Sequence, residues 1–297
     1  MKQKVYTRRE FLQNTSVTAI AGALYLNLPV KGLTQTATKS RVVLIRDVDV
    51  LDTNNKLNAD LLRGMLDQAV SALTDQGDAA AAWKQIIHPD DVVGIKTNIW
   101  SRLATPPELE SHIKMRVTDC GVIPANISIN DRSLLTDPVF MKATALINIR
   151  PMRTHDWSGV GTLIKNYIMF VERPWDYHDD SCANLAAIWR LPLVQNKTRL
   201  NVLVMLTPLF HGVGPHHFSA KYTWAYKGLL AGFDPVAVDA TGVRIIQAKR
   251  KLFFKEDRPI NPPPKHIFLA DTRHHLGTAD PTKIELIKIG WSDDILI

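Results

Sequence analysis

The chain has 297 residues, 45% of them hydrophobic, and a formal net charge of +7. That length and apolar content support a full core in one large domain, or in a domain with a smaller lobe. Residues 1–37 hold Lys2, Lys4, Arg8, Arg9 and Lys31 against Glu10, a net of +4. The remaining chain then carries only +3, which argues against a strongly basic nucleic-acid surface.

The first segment places Thr7-Arg8-Arg9-Glu10-Phe11-Leu12 ahead of a weakly apolar run over residues 17–30. The run is too short and too polar for a membrane span, and the order of charge then apolar residues is that of a secretory signal. It resembles a twin-arginine translocation signal, and Lys31 resembles the charge that keeps such signals off the general secretory route. The resemblance implies a leader over residues 1–37, the twin-arginine export machinery as a partner, and delivery of the folded mature chain, residues 38–297, to the periplasm or cell envelope with no membrane span. The alternative is an amphipathic first helix of the mature domain.

In chain order, residues 42–47 form the expected first strand. Leu61, Leu62, Met65, Leu66, Ala69 and Leu73 repeat with helical spacing before Gly77. Residues 91–98 read as a second strand that turns polar at Lys96 and Asn98. Thr105, Pro106 and Glu108 read as the cap and first turn of a helix that Gly121 stops. Residues 125–129 form a third strand, residues 138–142 a short helix, and residues 145–149 a fourth strand. The alternation predicts an α/β fold: a mostly parallel sheet with helices on both faces, and an optional lobe over residues 172–225 above the strand ends. Residues 182–189 read as a helix, residues 200–206 as a strand, and Asp234-Pro235 as the start of a helix carrying Val236, Asp239, Ala240 and Val243. An apolar stretch at 267–270 and an edge strand at 284–289 close the chain.

The chemistry concentrates in residues 153–166, which follow the fourth strand. There Arg153, His155, Asp156, Gly159, Gly161, Lys165 and Asn166 stand within fourteen residues. In a parallel sheet such a loop leaves a strand at the end where ligands sit. Gly159 and Gly161 would admit backbone close to a ligand, and the following helix start would offer N–H groups to an anion beside Lys165. Lys96, Asn98 and Arg132 also fall at strand ends and would converge on the same rim. This surplus of cations suits a carboxylate or phosphate. His155 would move a proton, with Asp156 or Asp239 orienting its ring, and Lys165 and Asp239 complete the candidate catalytic set. His178 would sit in a lid. His155, His211 and His216 are candidate ligands for Zn²⁺ or iron. Cys120 and Cys182 are read as buried free thiols in preference to a bridge, and two thiols cannot supply a four-thiolate iron–sulfur cluster. There is no Gly-x-Gly-x-x-Gly, no nucleotide-triphosphate loop and no Gly-x-Ser-x-Gly.

Four anchors in order, residues 93–98, 153–155 with 161–166, 212–215 and 232–239, resemble the domain-of-unknown-function family numbered 362 over roughly residues 42–290. Arg153 stands where members of that family carry lysine, and Leu206-Thr207 supplies no acid at the strand end where they tend to have one. The expected function is an exported enzyme acting on a small anionic substrate, with redox-linked or metal-assisted chemistry left open. The alternative is a non-catalytic periplasmic solute-binding or accessory protein.

Overall fold

Residues 42–46 are buried on both sides of their strand, the mark of a sheet covered by helices above and below. The computed structural model that displays this describes residues 39–212, 214 and 217–297; the expected leader and His216 lie outside the described residues. Strand β1 (Ser40–Arg46) precedes helices α1 (Ala59–Thr74) and α2 (Ala79–Lys84), strand β2 (Val93–Lys96), helix α3 (Pro107–Asp119) and strand β3 (Ile127–Asn130). Helix α4 (Pro138–Lys142) leads to the long strand β4 (Ala145–His155), a short return strand β5 (Gly159–Gly161) and a single helical turn, α5 (Leu163–Asn166). Then come α6 (Asp179–Cys182), β6 (Thr198–Leu209), β7 (Gly228–Gly232), α7 (Pro235–Phe254), α8 (Lys265–Thr272) and β8 (Ile284–Gly290).

The strands form one sheet in the order β3-β2-β4-β6-β7-β1-β8, with β5 attached to β4. Neighbours are parallel except around β7, which runs against both β1 and β6, and at the β4–β5 hairpin. The expected α/β sheet is therefore present, with one reversed strand that the sequence reading did not contain. Side chains alternate between its two faces with the period of a strand. Val43, Ile45, Ile147, Val202 and Val204 pack with Leu62, Leu66, Ile113 and Val117 of α1 and α3. Val42, Leu44, Leu146, Leu203 and Met205 pack with Val236, Ile245 and Ile246 of α7 and with Tyr167. Each such aliphatic side chain removed from water contributes roughly 1.5–3 kcal/mol. Among the described residues no helix is long and apolar enough to cross a membrane. Cys120 and Cys182 are buried and unbridged.

Local chemistry accounts for the element ends. Asn58 caps α1 by accepting from the Leu61 N–H, and Asp234 caps α7 by accepting from Val236 and Ala237, with Pro235 in the first turn. At α3 the expected cap is displaced: the helix starts at Pro107, and the Thr105 hydroxyl instead accepts from the Asn98 N–H. Residues 182–189 do not make an α-helix; a 3₁₀ stretch, Leu185–Arg190, follows the short α6. The apolar stretch at 267–270 is the buried face of α8. Of the optional lobe, β6 lies in the middle of the sheet, and residues 39–297 form one compact unit.

What positions the site is a difference in strand length. β2 and β4 pair only as far as Lys96 opposite Asn148. Residues 150–155 therefore run on past the carboxyl ends of β2 and β3, flanked by β6 and by the hairpin strand β5. A bulge between Pro151 and Arg153 shifts the register of that overhang.

Candidate functional site

The overhang of β4 and the ends of β2 and β3 enclose a cavity of about 350 Å³. Lys96, Asn98 and Trp100 line it from the end of β2 and the loop that follows. Asp131 and Arg132 come from beyond β3, Arg150, Arg153 and His155 from β4, and Lys165 and Asn166 from α5. Trp157, Pro174 and His178 close one side, with the Trp157 and His178 rings 4.2 Å apart. The predicted residues Lys96, Asn98, Arg132, Arg153, His155, Lys165 and Asn166 are thus brought together.

Charge is the dominant feature of the cavity. Lys96 is fully buried; its Nζ donates to Asp131 Oδ1 at 2.6 Å, to the Thr97 carbonyl at 2.7 Å and to Asn166 Oδ1 at 3.3 Å. Burial pushes its ammonium down to about 8 despite the carboxylate. Arg150 is 4% exposed and makes neither a hydrogen bond nor an ion pair among the described residues, and its Nε is without a partner. Arg153 spends one bond on Asn98 Oδ1 at 3.3 Å and lays its guanidinium over the Trp100 ring, 4.2 Å from the centroid. Burial, with Arg150 next to it, weakens the hold of Arg153 on its proton, yet a guanidinium stays charged in a protein. Lys165 reaches only Cys182 Sγ at 3.4 Å, and burial pushes it down to about 8. Against these four cations one carboxylate, Asp131, lines the cavity among the described residues. Buried charge of one sign costs several kcal/mol per ion unless it is paired, and Asp131, Asp156 and Asp239 offset the burial of these cations only in part.

A second row of residues holds the first in place. Asn166 Nδ2 donates to Asn148 Oδ1 at 2.8 Å and to the Ile149 carbonyl at 3.1 Å, tying α5 to β4. Asp239 is fully buried below α5 and accepts from Thr162 Oγ1 at 2.6 Å and from the Leu163 and Ile164 N–H groups at 2.9 Å. Burial pushes its carboxyl up to about 7, while its partners, all donors, favour the ionised form. The N–H groups at the start of α5 are consequently taken and do not face an anion, contrary to the expectation from sequence. Gly161 makes room for the cations: a Cβ there would stand 2.7 Å from Arg150 Nη2 and 3.3 Å from Arg153 Nε. Gly159 serves the hairpin instead, with φ +74° and the Pro262 carbonyl 2.2 Å from where its Cβ would be.

His155 Nδ1 lies 3.0 Å from Asp156 Oδ1 and 3.3 Å from the Trp157 N–H donor. Burial first, then the positive field of Lys165, Arg150 and Arg153, pushes its pKa far down. These effects favour the neutral ring. Its Nδ1 either donates to the carboxylate or accepts from the amide, not both.

Residues 115–244 match the family model described as Domain of unknown function (DUF362). They belong to that family. The DUF362 match takes in Asp131, Arg150, Arg153, His155, Lys165 and Asp239, while Lys96 and Asn98 precede it. No curated protein and no solved structure matches the chain.

The expected metal set, His155, His211 and His216, is described only in part. His155 lines the small cavity, His211 lines a different cleft where its Nδ1 sits 3.0 Å from Arg250 Nη1, and His216 lies outside the described residues. A guanidinium at that nitrogen occupies the position a cation would need. Among the described residues no group of three or more His, Cys, Asp or Glu stands close enough to hold a metal ion. Sequence reasoning missed Arg150, Asp131 and Trp100. Arg150 follows an apolar run directly and was open to detection as a charge inside a buried strand; Asp131 looked like an ordinary turn residue, and nothing in the local pattern marked Trp100.

Proposed function

We propose that the cavity binds a small anion carrying a phosphate or carboxylate group, and that the chain is an enzyme acting on that anion. The observation that carries the reading is the surplus of buried cations, Lys96, Arg150, Arg153 and Lys165, around a space that one carboxylate lines among the described residues. The arginines supply forked donors that match a planar or tetrahedral oxyanion, and the lysines supply point charges. His155 is the proton carrier. An anion in the cavity offsets the positive field that depresses its pKa, so substrate itself raises the basicity of the imidazole where a proton must be accepted. Asp156 orients the ring, and Asp239 sets the position of Lys165 through α5. The leader residues 1–37 deliver the domain to the periplasm or cell envelope by the twin-arginine route in this proposal, which rests on Arg8-Arg9 and the apolar run behind them.

Thermal unfolding of the purified protein with inorganic phosphate, sulfate and small carboxylates tests the binding half. Phosphate is expected to raise the midpoint in wild type and to leave Arg150→Met unmoved; a wild type indifferent to every small anion overturns it. Turnover is then sought with a panel of phosphomonoesters and hydroxy acids. His155→Gln is expected to lose turnover and keep anion binding. Binding without turnover on any member of the panel would leave a solute-binding or accessory protein.

A further inference from the structure

A second and larger cleft, of about 900 Å³, shares a wall with the small cavity. Thr154 stands between Arg153 and His155 on β4, and strand alternation sends it into the larger cleft while its neighbours line the smaller one. The other part of the wall is an aromatic contact: Trp100 of the small cavity meets Phe218 of the large cleft edge-on, with centroids 5.9 Å apart.

The lining of this cleft has one sign of charge. Arg102, Arg250 and Arg258 contribute to it beside the imidazoles of His211 and His217, and no Asp or Glu does among the described residues. Arg250 is 4% exposed and donates to the carbonyls of Phe210 at 3.0 Å, Arg258 at 2.9 Å and Pro259 at 2.9 Å, so its charge is solvated by dipoles and balanced by no carboxylate. The carboxylate closest to Arg258, Glu256, is 4.0 Å away on the surface and outside the lining. Thr154 Oγ1 is buried with no hydrogen-bond partner. Phe218 and Tyr222 supply ring surface beside these polar groups.

We infer that the large cleft is a second binding site, for an aromatic organic anion of nucleotide size. Its ring lies against Phe218 and Tyr222, its acidic group meets the exposed guanidiniums of Arg102 and Arg258 above the fixed charge of Arg250, and Thr154 Oγ1 takes one of its polar groups. The volume lies towards the upper end of the range of pockets that bury a whole organic ligand, and the small cavity lies at its lower end. The inference stands whether or not the small cavity is catalytic.

Calorimetric titration of the full protein with adenosine 5′-monophosphate tests it, with adenosine and inorganic phosphate as controls. The nucleotide is expected to bind wild type, and adenosine at least about tenfold more weakly. Arg102→Gln with Arg258→Gln, both at exposed positions, is expected to weaken the nucleotide by about tenfold or more, with unchanged circular dichroism. Lys165→Met, in the other cavity, is expected to leave its affinity within about twofold, and saturating phosphate is not expected to compete. Absence of binding in the low-millimolar range, equal binding of adenosine, or full competition by phosphate together with indifference to the double substitution would each overturn the assignment.

Discussion

Arg150 is held where a protein gains nothing from holding it. It is buried, it makes no hydrogen bond or ion pair among the described residues although Asp131 and Asp239 attract it across the cavity wall, and Gly161 gives up a side chain to make space for it. A buried ion without a partner lowers the stability of the state that contains it, and an apolar side chain of similar length relieves the cost. Arg150→Met is therefore expected to stabilise the anion-free protein by about 1–3 kcal/mol while abolishing stabilisation by phosphate. Urea denaturation with and without phosphate measures both. A destabilised variant would mean that Arg150 holds the fold together and that its charge is not reserved for a ligand. Lys96 behaves differently, because Asp131 at 2.6 Å partly offsets its burial. The two neighbouring cations thus divide between one that an acid holds and one that makes no ion pair among the described residues.

At the scale of elements, the single turn α5 cannot hold itself in place. Thr162 makes no capping bond of its own, and Asp239, from the second turn of α7, supplies the acceptor in trans. Asp239→Ala leaves two buried N–H groups and a hydroxyl unpaired, and is expected to cost about 2–4 kcal/mol and to weaken phosphate binding as Lys165 loses its position. Chemical denaturation and phosphate titration of that variant check this; normal anion affinity would detach α7 from the site. The same elements show what was legible beforehand. Asp234-Pro235 announced α7, and the apolar spacing from Leu61 to Leu73 announced α1, because cap chemistry and helical periodicity are local. The second half of β4 was not legible as a strand. Arg150, Arg153, Thr154 and His155 are polar residues in a buried strand, and polar residues after an apolar run read as a loop. β7 escaped because Gly-Leu-Leu-Ala-Gly is too short to show a period. The cations of the site were legible as residues at strand ends, yet their surplus over acids was not, since Lys96, Asp131 and Lys165 meet only once the sheet brings β2, β3 and β4 side by side.

For the whole molecule, the buried cations set how stability depends on pH. In the folded, anion-free protein Lys96 and Lys165 are pushed down to about 8, whereas an unfolded lysine holds its proton to roughly 10.4. Between those values the unfolded chain binds more protons, so stability rises with pH. Above about pH 10 the slope reverses, because burial pushes the phenols of Tyr226, to about 12, and of Tyr167, further still, above the unfolded value. Unfolding free energies are therefore expected to climb from pH 8 to a maximum near about pH 10, and saturating phosphate is expected to flatten the climb by keeping the lysines protonated. A flat profile without anion would mean that the lysines are not desolvated as described.

The reversed strand β7 has one more effect. It returns the chain to the far rim of the sheet, so that α7 begins there and runs back beneath both cavities, carrying Asp239 under the small one and ending with Arg250 in the wall of the large one. At 1.5 Å per residue the two side chains are set about 16 Å apart along one rigid rod. The helix works as a gauge. Whatever the two pockets hold, they hold at a constant spacing, and a molecule long enough to enter both meets its second pocket at an effective concentration fixed by that rod and not by diffusion.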